Sequence, residues 1–584
     1  MSDLVREATR EQGRRLPRLI VIGIDSATFS LMIPWIEAGE LPNLAQLMKE
    51  GVHGHLLSTI PPVSSPAWAS FMTGKNPGKH GIFSFFEPVL NSYSFRHTNG
   101  GSCRARTIWK IMSESGRRVG VINVPMTYPP EEVAGYLIAG MDTPDERSRF
   151  VYPSALQDEL IRKFGTIETI VHHFVQRLGH SYRSAYHAYK LWEGLEERRT
   201  DLCRYLMQSH PTDLVMVHFL AVDQIQHYFW HYMDDTHPLH DPEGARVLGG
   251  VIKEIYCKID GLLGGLLASL PPEASVIVLS DHGAGPLSNR RMFLNNFLAS
   301  LGLLRFKDAK RSLPSVRTMA HLALRQADGF LRRWLPPKVK TMLTWAVPGT
   351  RDLFESYIAA GQIDWGATKA YCNEKSGSSI WINLKGVRPS GIVEPGAEYE
   401  ELVAFITEKL YEIKDPETGF QMIAKVYRKD EIYSGPYLGN APDLLIDEWL
   451  GLTFQPATAF GNRSGRPIVS SERPRGTSVG VKTGSHRHDG ILLLKGEPFK
   501  EGHTLTGAHI IDLAPTILHL MDLDIPDDMD GKVLTEALKS DYLARHPVSY
   551  RKSDNGDQGN ERVYSDEDAA KVEERLRSLG YLDS

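Results

Sequence analysis

Short apolar runs rich in β-branched residues, separated by longer helical stretches, constrain the fold of this chain more than any other feature. Such runs are typical of parallel strands that are buried on both faces of a sheet. The helical stretches between them include Pro42–Glu50 and Val251–Leu270. The alternation predicts an α/β fold with a doubly wound, mostly parallel sheet and helices on both faces. The predicted strands are Leu19–Ile24, Val119–Val124, Leu214–Phe219, Val276–Leu279 and Ile491–Leu494.

The domain organisation follows from where this alternation holds and where it stops. With 584 residues, the chain is long enough for one large domain, which we place at residues 18–545. Two helical insertions interrupt it, at about residues 152–209 and 295–357. Residues 546–584 begin as a polar linker and end in a short helix, Asp566–Leu579.

Composition excludes several classes of protein. A net charge of -5 argues against a nucleic-acid-binding module, which normally has a basic surface. The four cysteines are scattered and contain no CxxC pair, which favours reduced thiols. No apolar run is long enough to span a membrane, and residues 1–16 lack the apolar centre of a signal peptide. We therefore expect a cytoplasmic protein without a transmembrane segment.

Three acidic residues follow predicted strands directly or within a few residues. They are Asp25, Asp223 and Asp281. Ligands of doubly wound sheets bind beyond the carboxyl ends of the strands. We expect the three carboxylates to converge at that edge of the sheet.

Histidines accompany two of these carboxylates. Asp223 and His227 are four residues apart and share one face of a helix, so both can bind one cation, although a helix cap with a surface histidine explains the pair equally well. The tripeptide Asp281-His282-Gly283 at a strand end is more specific. Burying charge there is costly unless a metal ion compensates for it.

A serine pair begins a predicted helix. Pro66 suits a first helical turn, which places Ser64 and Ser65 at the helix N-terminus. Free backbone N–H groups and the helix dipole favour a phosphate at that position. The simpler interpretation of an isolated Ser-Ser-Pro is a helix cap.

Taken together, these segments resemble the alkaline phosphatase superfamily. The likeness is to its type I phosphodiesterase/nucleotide pyrophosphatase-like branch and to the related predicted phosphohydrolase/phosphomutase group. It extends from about residue 18 to residue 538, except for the two insertions. The segments that carry it are Val21–Asp25, Leu41–Val52, Ser64–Gly74, Pro77–Gly81, Val222–His227, Ser280–Gly283, Gly484–His486, Ile510–Thr516 and Met529–Gly531.

The resemblance implies an alkaline phosphatase-like fold and a two-metal site. One divalent ion would be held by Asp223, His227 and His486, and the other by Asp25, Asp281 and His282. Ser64 would be both a ligand of the second ion and the nucleophile. Zn²⁺ suits such ligands best, with Mn²⁺ as the alternative. The implied activity is a metal-dependent hydrolase that cleaves phosphodiester or phosphomonoester bonds through a phosphoserine.

Two alternatives to hydrolysis stay open. A phosphomutase or phosphotransferase would use the same site but return the phosphoryl group to a substrate. An inactive protein that binds phosphorylated ligands is the third interpretation. The substrate class is a phosphorylated small molecule or a lipid-linked phosphate, and the oligomeric state is not predicted.

Some positions depart from the family pattern. The family's phosphate-binding Asn is replaced by Ala67, so that another donor, Arg487 or Lys79, must substitute. His488 is an alternative ligand to His486. A sulfatase is disfavoured because Trp68 occupies the position where sulfatases need arginine.

The second insertion is basic. Between Arg305 and Trp345 there are ten lysines and arginines against two aspartates. We favour a helical cap that attracts a phosphorylated substrate over peripheral membrane contact, because Pro336-Pro337 shortens any apolar helix face. Structural roles are predicted for five other histidines, with His80 in a turn and the rest on the helix surface or in the core instead of lining a substrate pocket; those in the first insertion are His172, His173, His180 and His187.

Overall fold

A ten-stranded sheet forms the centre of the described part of the chain. Ala508–His509 adds to this sheet beside Val52–Leu57. The computed structural model describes residues 16–578 except 146, 167–177, 180, 308–362, 374, 376, 450–454, 460–466, 472–477 and 554–563. The other nine strands run in the order His503–Thr504, Val52–Leu57, Asp489–Lys495, Ser275–Leu279, Leu19–Ile24, Leu214–Phe219, Val119–Ile122, Gly135–Ile138 and Val151–Tyr152.

The middle of the sheet is parallel, as predicted. Leu19–Ile24 pairs in parallel with Leu214–Phe219 on one side and Ser275–Leu279 on the other. Every residue of these three strands is buried, so both faces of the sheet are covered. The doubly wound α/β fold is therefore confirmed.

One predicted parallel strand runs the other way. Asp489–Lys495, which contains the predicted Ile491–Leu494, is antiparallel to both of its neighbours. The prediction of a parallel strand was wrong there, because an apolar run indicates burial on both faces but not the direction of the chain.

Helices pack around this sheet. Pro42–Glu50 has the predicted bounds, and the predicted Val251–Leu270 helix ends at Leu267. The other helices of the main domain are Phe29–Glu37, Ser64–Thr73, Pro77–His80, Ile108–Glu114, Ser154–Phe164, Tyr182–Ser209, Ala221–Met233, Pro242–Leu248, Leu513–Leu520, Ser540–Arg545 and Asp566–Ser578. Short 3₁₀ turns are found at Gly100–Ser102, Trp365–Ala367, Leu438–Asn440, Ile510–Asp512 and Thr535–Ala537.

The first predicted insertion is built into the main core. Val151–Tyr152 is the edge strand of the sheet, and it pairs with Gly135–Ile138. Helix Tyr182–Ser209 buries Tyr189 and Trp192 in the same hydrophobic cluster as the central strands. This helix therefore supports the sheet instead of standing apart from it.

A second hydrophobic core, which the sequence did not predict, lies between residues 292 and 469. Helix Ala397–Tyr411 packs on its sheet. The predicted basic insertion would adjoin this unit, but residues 308–362 lie outside the described residues. The other helices of this second unit are Leu294–Ser300 and Lys429–Ile432. Its strands are Gly283–Phe293, Ala370–Tyr371, Ser379–Ile382, Ile423–Arg428, Leu444–Trp449, Gln455–Ala459, Val469–Ser471 and Gly484–Arg487.

The C-terminal helix joins three parts of the molecule. It spans Asp566–Ser578, close to the predicted bounds. The buried Glu573 accepts hydrogen bonds from His97 Nε2 at 3.0 Å and from Lys375 Nζ at 2.7 Å. His97 ends a hairpin and Lys375 belongs to the second unit, so one carboxylate ties the helix to both. The strands outside the larger sheets are Phe86–Pro88, Phe95–His97, Ile525–Pro526 and Tyr550–Arg551.

Two further predictions concern the chain as a whole. No helix among the described residues is long and apolar enough to cross a membrane. The four cysteines all lie among the described residues, where none of them forms a disulfide, and three of them are buried.

Candidate metal centre and nucleophile

Three fully buried carboxylates meet at the carboxyl edge of the sheet. Asp25 directly follows strand Leu19–Ile24, and Asp281 lies two residues after the neighbouring strand. Asp223 lies in the first turn of helix Ala221–Met233, which begins where the strand on the other side ends. The strands are adjacent and parallel, so their ends place the three side chains together, as predicted.

The first predicted ligand group is assembled around Asp223. Its Oδ1 atom lies 3.3 Å from His227 Nε2 and 3.3 Å from His486 Nε2. The two imidazole nitrogens are 3.1 Å apart. One ligand atom from each residue lies within 4.8 Å of the others, which is the spacing that a single cation requires.

The second group differs in one member from the prediction. Asp25, His282 and Asp223 offer ligand atoms within 4.8 Å of one another. The predicted Asp281 lies beside them, with its Oδ2 atom 3.3 Å from His282 Nε2. His282 Nε2 is also 3.6 Å from Asp25 Oδ1. Asp223 therefore lies between the two groups and belongs to both.

Ser64 lies beside this second group. It is the first residue of helix Ser64–Thr73, which is buried along its whole length. Its Oγ atom lies 3.1 Å from His282 Nε2. The nucleophile predicted from sequence is thus in contact with a predicted ligand, at the N-terminus of a helix.

The carboxylates have more negative charge than the protein itself balances. Among the described residues, Asp25 Oδ1 and both oxygens of Asp281 are buried without a hydrogen-bond partner. Burial raises the pKa of Asp25 and of Asp281 well above the usual range, and the charge of Asp223 adds to both effects. Buried carboxylates of this kind are normally paired or bound to a metal ion, so the donor set fits divalent cations.

The three histidines are held in one orientation by backbone carbonyls. The Nδ1 atoms of His227, His282 and His486 donate to the carbonyls of Gly484 at 2.9 Å, Gly283 at 3.2 Å and Pro62 at 2.8 Å. These bonds leave each Nε2 lone pair facing the carboxylates. Burial lowers the pKa of His227 to about 3, and it lowers that of His282 well below its usual value. Both rings are therefore neutral and able to bind metal.

A glycine lets the strand that carries His486 approach the helix that carries His227. A Cβ atom at Gly484 would lie 2.2 Å from the carbonyl oxygen of Gln226. Only glycine permits this approach, and the approach is what allows Gly484 to accept from His227.

His218 is the site residue that the sequence reading missed. It lies on strand Leu214–Phe219, where it is paired in register with Gly23. Its Nε2 atom is 2.9 Å from Asp25 Oδ2. A polar residue inside an otherwise apolar strand was the available signal, since the interior of a doubly covered strand rarely contains one.

The two proposed substitutes for the missing asparagine have hydrogen-bond partners away from Ser64. Ala67 is buried one turn after the serine. Lys79 Nζ donates to Asp530 at 2.6 Å, and Arg487 donates to the carbonyl oxygen of Pro286 at 2.6 Å.

The remaining histidines have structural contacts. His80 Nε2 is 2.9 Å from Ser70 Oγ, and its Nδ1 accepts from the backbone of Ile82. His488 is paired with Asp447, so His486 and not His488 joins the ligand group. His187 is exposed on its helix. The predictions for His172, His173 and His180 lie outside the described residues.

Comparison with known proteins identifies the family. The model of the type I phosphodiesterase/nucleotide pyrophosphatase family matches residues 19–455. The chain therefore belongs to this family of phosphoester hydrolases in the alkaline phosphatase superfamily, whose members generally bind divalent metals. The match ends before His486, so the place of that residue in the site comes from the structure alone.

Solved structures similar to the chain include those of murine and human ectonucleotide pyrophosphatase/phosphodiesterase 5. The murine protein is 14% identical, with 89% of this chain and 100% of that chain covered and a TM-score of 0.46. The human protein is 13% identical, with 90% and 100% covered and a TM-score of 0.46. No curated protein is similar enough in sequence to count as a relative.

Proposed function

We propose that the chain hydrolyses phosphodiester or phosphomonoester bonds with two divalent metal ions and a phosphoserine intermediate on Ser64. The observation that carries this proposal is the position of Ser64 Oγ, 3.1 Å from His282 Nε2 and beside two ligand groups that share Asp223. Membership of a phosphodiesterase family supports the reaction class.

Six side chains would hold the two ions. Asp223, His227 and His486 would hold one, and Asp25 and His282 would hold the other together with Asp281 or Asp223. Zn²⁺ and Mn²⁺ are the candidate metals for such mixed ligands. When bound, the ions would supply Lewis acidity and offset the negative charge of the phosphoryl group.

Ser64 would form the covalent intermediate. Its Oγ gives up its proton and bonds to phosphorus while the bond from phosphorus to the leaving oxygen breaks, and the leaving oxygen takes up a proton and departs as the alcohol product. Water then attacks phosphorus and loses a proton while the bond from phosphorus to Oγ breaks and Oγ is protonated, which releases Ser64 and a phosphomonoester or inorganic phosphate. The burial of the helix limits the access of other water to Ser64.

The phosphate oxygens need donors that the side chain at position 67 does not supply. Lys79 and Arg487 have other hydrogen-bond partners, and in the first turn of helix Ser64–Thr73 Pro66 has no N–H while that of Ala67 donates to Val63, so we assign this role to the backbone N–H groups of Ser64 and Ser65. Such groups, together with the helix dipole, bind phosphate without any charged side chain.

The substrate class in this proposal is a phosphorylated small molecule or a lipid-linked phosphate, encountered in the cytoplasm. The alternative with the same site is a phosphomutase or phosphotransferase. It differs from the hydrolase only in the acceptor of the phosphoryl group from Ser64.

Hydrolysis of two chromogenic esters tests the proposal. Chelated enzyme would be assayed with p-nitrophenyl phosphate and bis-p-nitrophenyl phosphate, before and after addition of Zn²⁺ or Mn²⁺. We expect metal-dependent release of p-nitrophenol that is lost in Ser64→Ala. Ser65→Ala is the matched control, because Ser65 is the next residue of the same buried helix and its Oγ has no hydrogen-bond partner among the described residues, and because the change keeps the backbone N–H. Its activity should stay close to that of the wild type.

Each outcome separates the candidates. Faster release from the diester identifies a phosphodiesterase, and faster release from the monoester identifies a phosphatase. Two bound metals without release from either ester would favour the phosphotransferase. A protein that binds no metal, or equal activity in Ser64→Ala and the wild type, would overturn the proposal.

A further inference from the structure

We propose that His218 is a positioning residue that binds one oxygen of Asp25 and thereby directs the other oxygen toward the second metal ion. This inference rests on the proposed two-metal function. It concerns a residue that is not a ligand in either group and that lies on a neighbouring strand.

The contact between the two side chains is specific in its atoms. His218 Nε2 lies 2.9 Å from Asp25 Oδ2, while Asp25 Oδ1 lies 3.6 Å from His282 Nε2. Among the described residues, that Oδ1 atom is buried without a hydrogen-bond partner. One oxygen is thus held by the protein and the other is left for the cation. Hydrogen bonds to ligating carboxylates commonly tune metal sites in this way.

The imidazole is restrained by its packing. Trp68 lies edge-on to the ring, with the ring centroids 4.9 Å apart. Nε2 is the ring nitrogen that faces Asp25, and as the N–H donor of a neutral imidazole it can hold the carboxylate in one orientation.

The space for this arrangement depends on Gly23. A Cβ atom at this position would lie 2.7 Å from Trp68 Cη2 and 3.3 Å from His218 Cδ2. Because Gly23 has no side chain, the indole and the imidazole can pack beside the strand that ends at Asp25. Gly23 is also the residue paired in register with His218 on the neighbouring strand.

Metal affinity is the direct test, because a residue that orients Asp25 should affect Zn²⁺ binding even in the absence of substrate. His218→Gln places an amide nitrogen near the position of Nε2, whereas the amide of His218→Asn is too short to reach Asp25. Both variants would be chelated and titrated with Zn²⁺ against a chromophoric chelator. The titration would be repeated in a His486→Ala background, where the first group has lost a ligand.

We expect two Zn²⁺ ions in the wild type and in His218→Gln. In His218→Asn, one of the two affinities should fall about 10–100-fold, as is usual when a hydrogen-bond partner of a metal ligand is lost. The same loss should persist in the His486→Ala background, which would place it at the group that contains Asp25.

His80→Gln and His80→Asn are the matched controls. His80 is as buried as His218, and burial lowers the pKa of both to about 3, but His80 bonds to Ser70 and not to a ligand. Zn²⁺ affinity in both control variants should equal that of the wild type, while thermal unfolding reports any general loss of stability.

Three results would overturn the inference. Unchanged Zn²⁺ affinity in His218→Asn would mean that Asp25 needs no such partner. Equal losses in the His80 variants would mean that the effect is general destabilisation. A wild-type protein that binds neither Zn²⁺ nor Mn²⁺ would overturn the proposed function as well. If instead the wild type binds two ions and His218→Asn binds them equally tightly, only the inference about His218 fails.

Discussion

A buried ion pair should hold the helix that carries Asp223, and breaking it should destabilise the protein severely. Glu196 and Arg199 are both buried on helix Tyr182–Ser209 and are bonded to each other. Glu196 Oε1 also accepts the backbone N–H groups of Leu220 and Ala221, at 3.0 and 2.7 Å. These groups lie at the start of the helix that carries Asp223, where they have no partner within the helix.

The magnitude follows from what each change leaves behind. Glu196→Ala removes the acceptor of two backbone donors and leaves the Arg199 guanidinium buried without its carboxylate. Removal of one partner of a buried pair costs about 3–5 kcal/mol. In a double-mutant cycle built from Glu196→Met and Arg199→Met, the double change should cost less than the sum of the two single changes, with a coupling energy of about 1–3 kcal/mol.

Urea unfolding followed by far-UV circular dichroism would measure these differences. Glu193→Ala on the same helix is the matched control. The pair of Glu193 with Lys190 is partly exposed, and its loss should cost only about 0.2–1 kcal/mol. Strictly additive effects of the two single changes, or a Glu196→Ala variant as stable as Glu193→Ala, would refute this reasoning.

Three further predictions concern other parts of the molecule. Asp223→Asn should lose both metal ions, whereas His486→Ala should lose only one, because Asp223 belongs to both ligand groups. Metal analysis after dialysis would measure the number of ions bound per chain. Equal numbers in the two variants would contradict the sharing of Asp223. Gly23→Ala should destabilise the protein by about 1–3 kcal/mol through the clash with the indole, whereas Gly194→Ala in a helix with free space should stabilise it slightly, as thermal unfolding would show. Burial opposes ionisation of Glu573, but its histidine and lysine partners outweigh it and hold its pKa at about 2. This pKa is below the ordinary value of 4.5. The wild type should therefore be more stable to unfolding than Glu573→Gln by its full margin above pH 4.5, and the margin should shrink as the pH falls toward 2 and disappear below that pH.

The sequence predicted the parts of the site that follow from strand ends. Asp25, Asp223 and Asp281 could be placed together because a parallel sheet brings the carboxyl ends of its strands to one edge. The helical spacing allowed His227 to share a cation with Asp223, and Pro66 placed Ser64 at a helix N-terminus, but their roles as ligand and nucleophile were implied only by the resemblance to the alkaline phosphatase superfamily. All of these are local features, which a pattern in the chain can indicate.

The features that were missed depend on contacts between distant segments. The direction of Asp489–Lys495 is set by its pairing with two strands far away in the chain. The sharing of Asp223 between the two groups depends on distances of a few ångströms, which spacing cannot supply. The second core is built on short strands, and none of these strands was predicted from the sequence.

The central claim is a covalent intermediate on Ser64, and trapping it is the most direct test. Enzyme loaded with Zn²⁺ or Mn²⁺ would be acid-quenched during turnover of p-nitrophenyl phosphate, digested, and analysed by mass spectrometry. We predict one added phosphoryl group on the peptide that contains Ser64, and none when the metal is chelated. A phosphoryl group on a different residue, or turnover that is undiminished in Ser64→Ala, would contradict the mechanism.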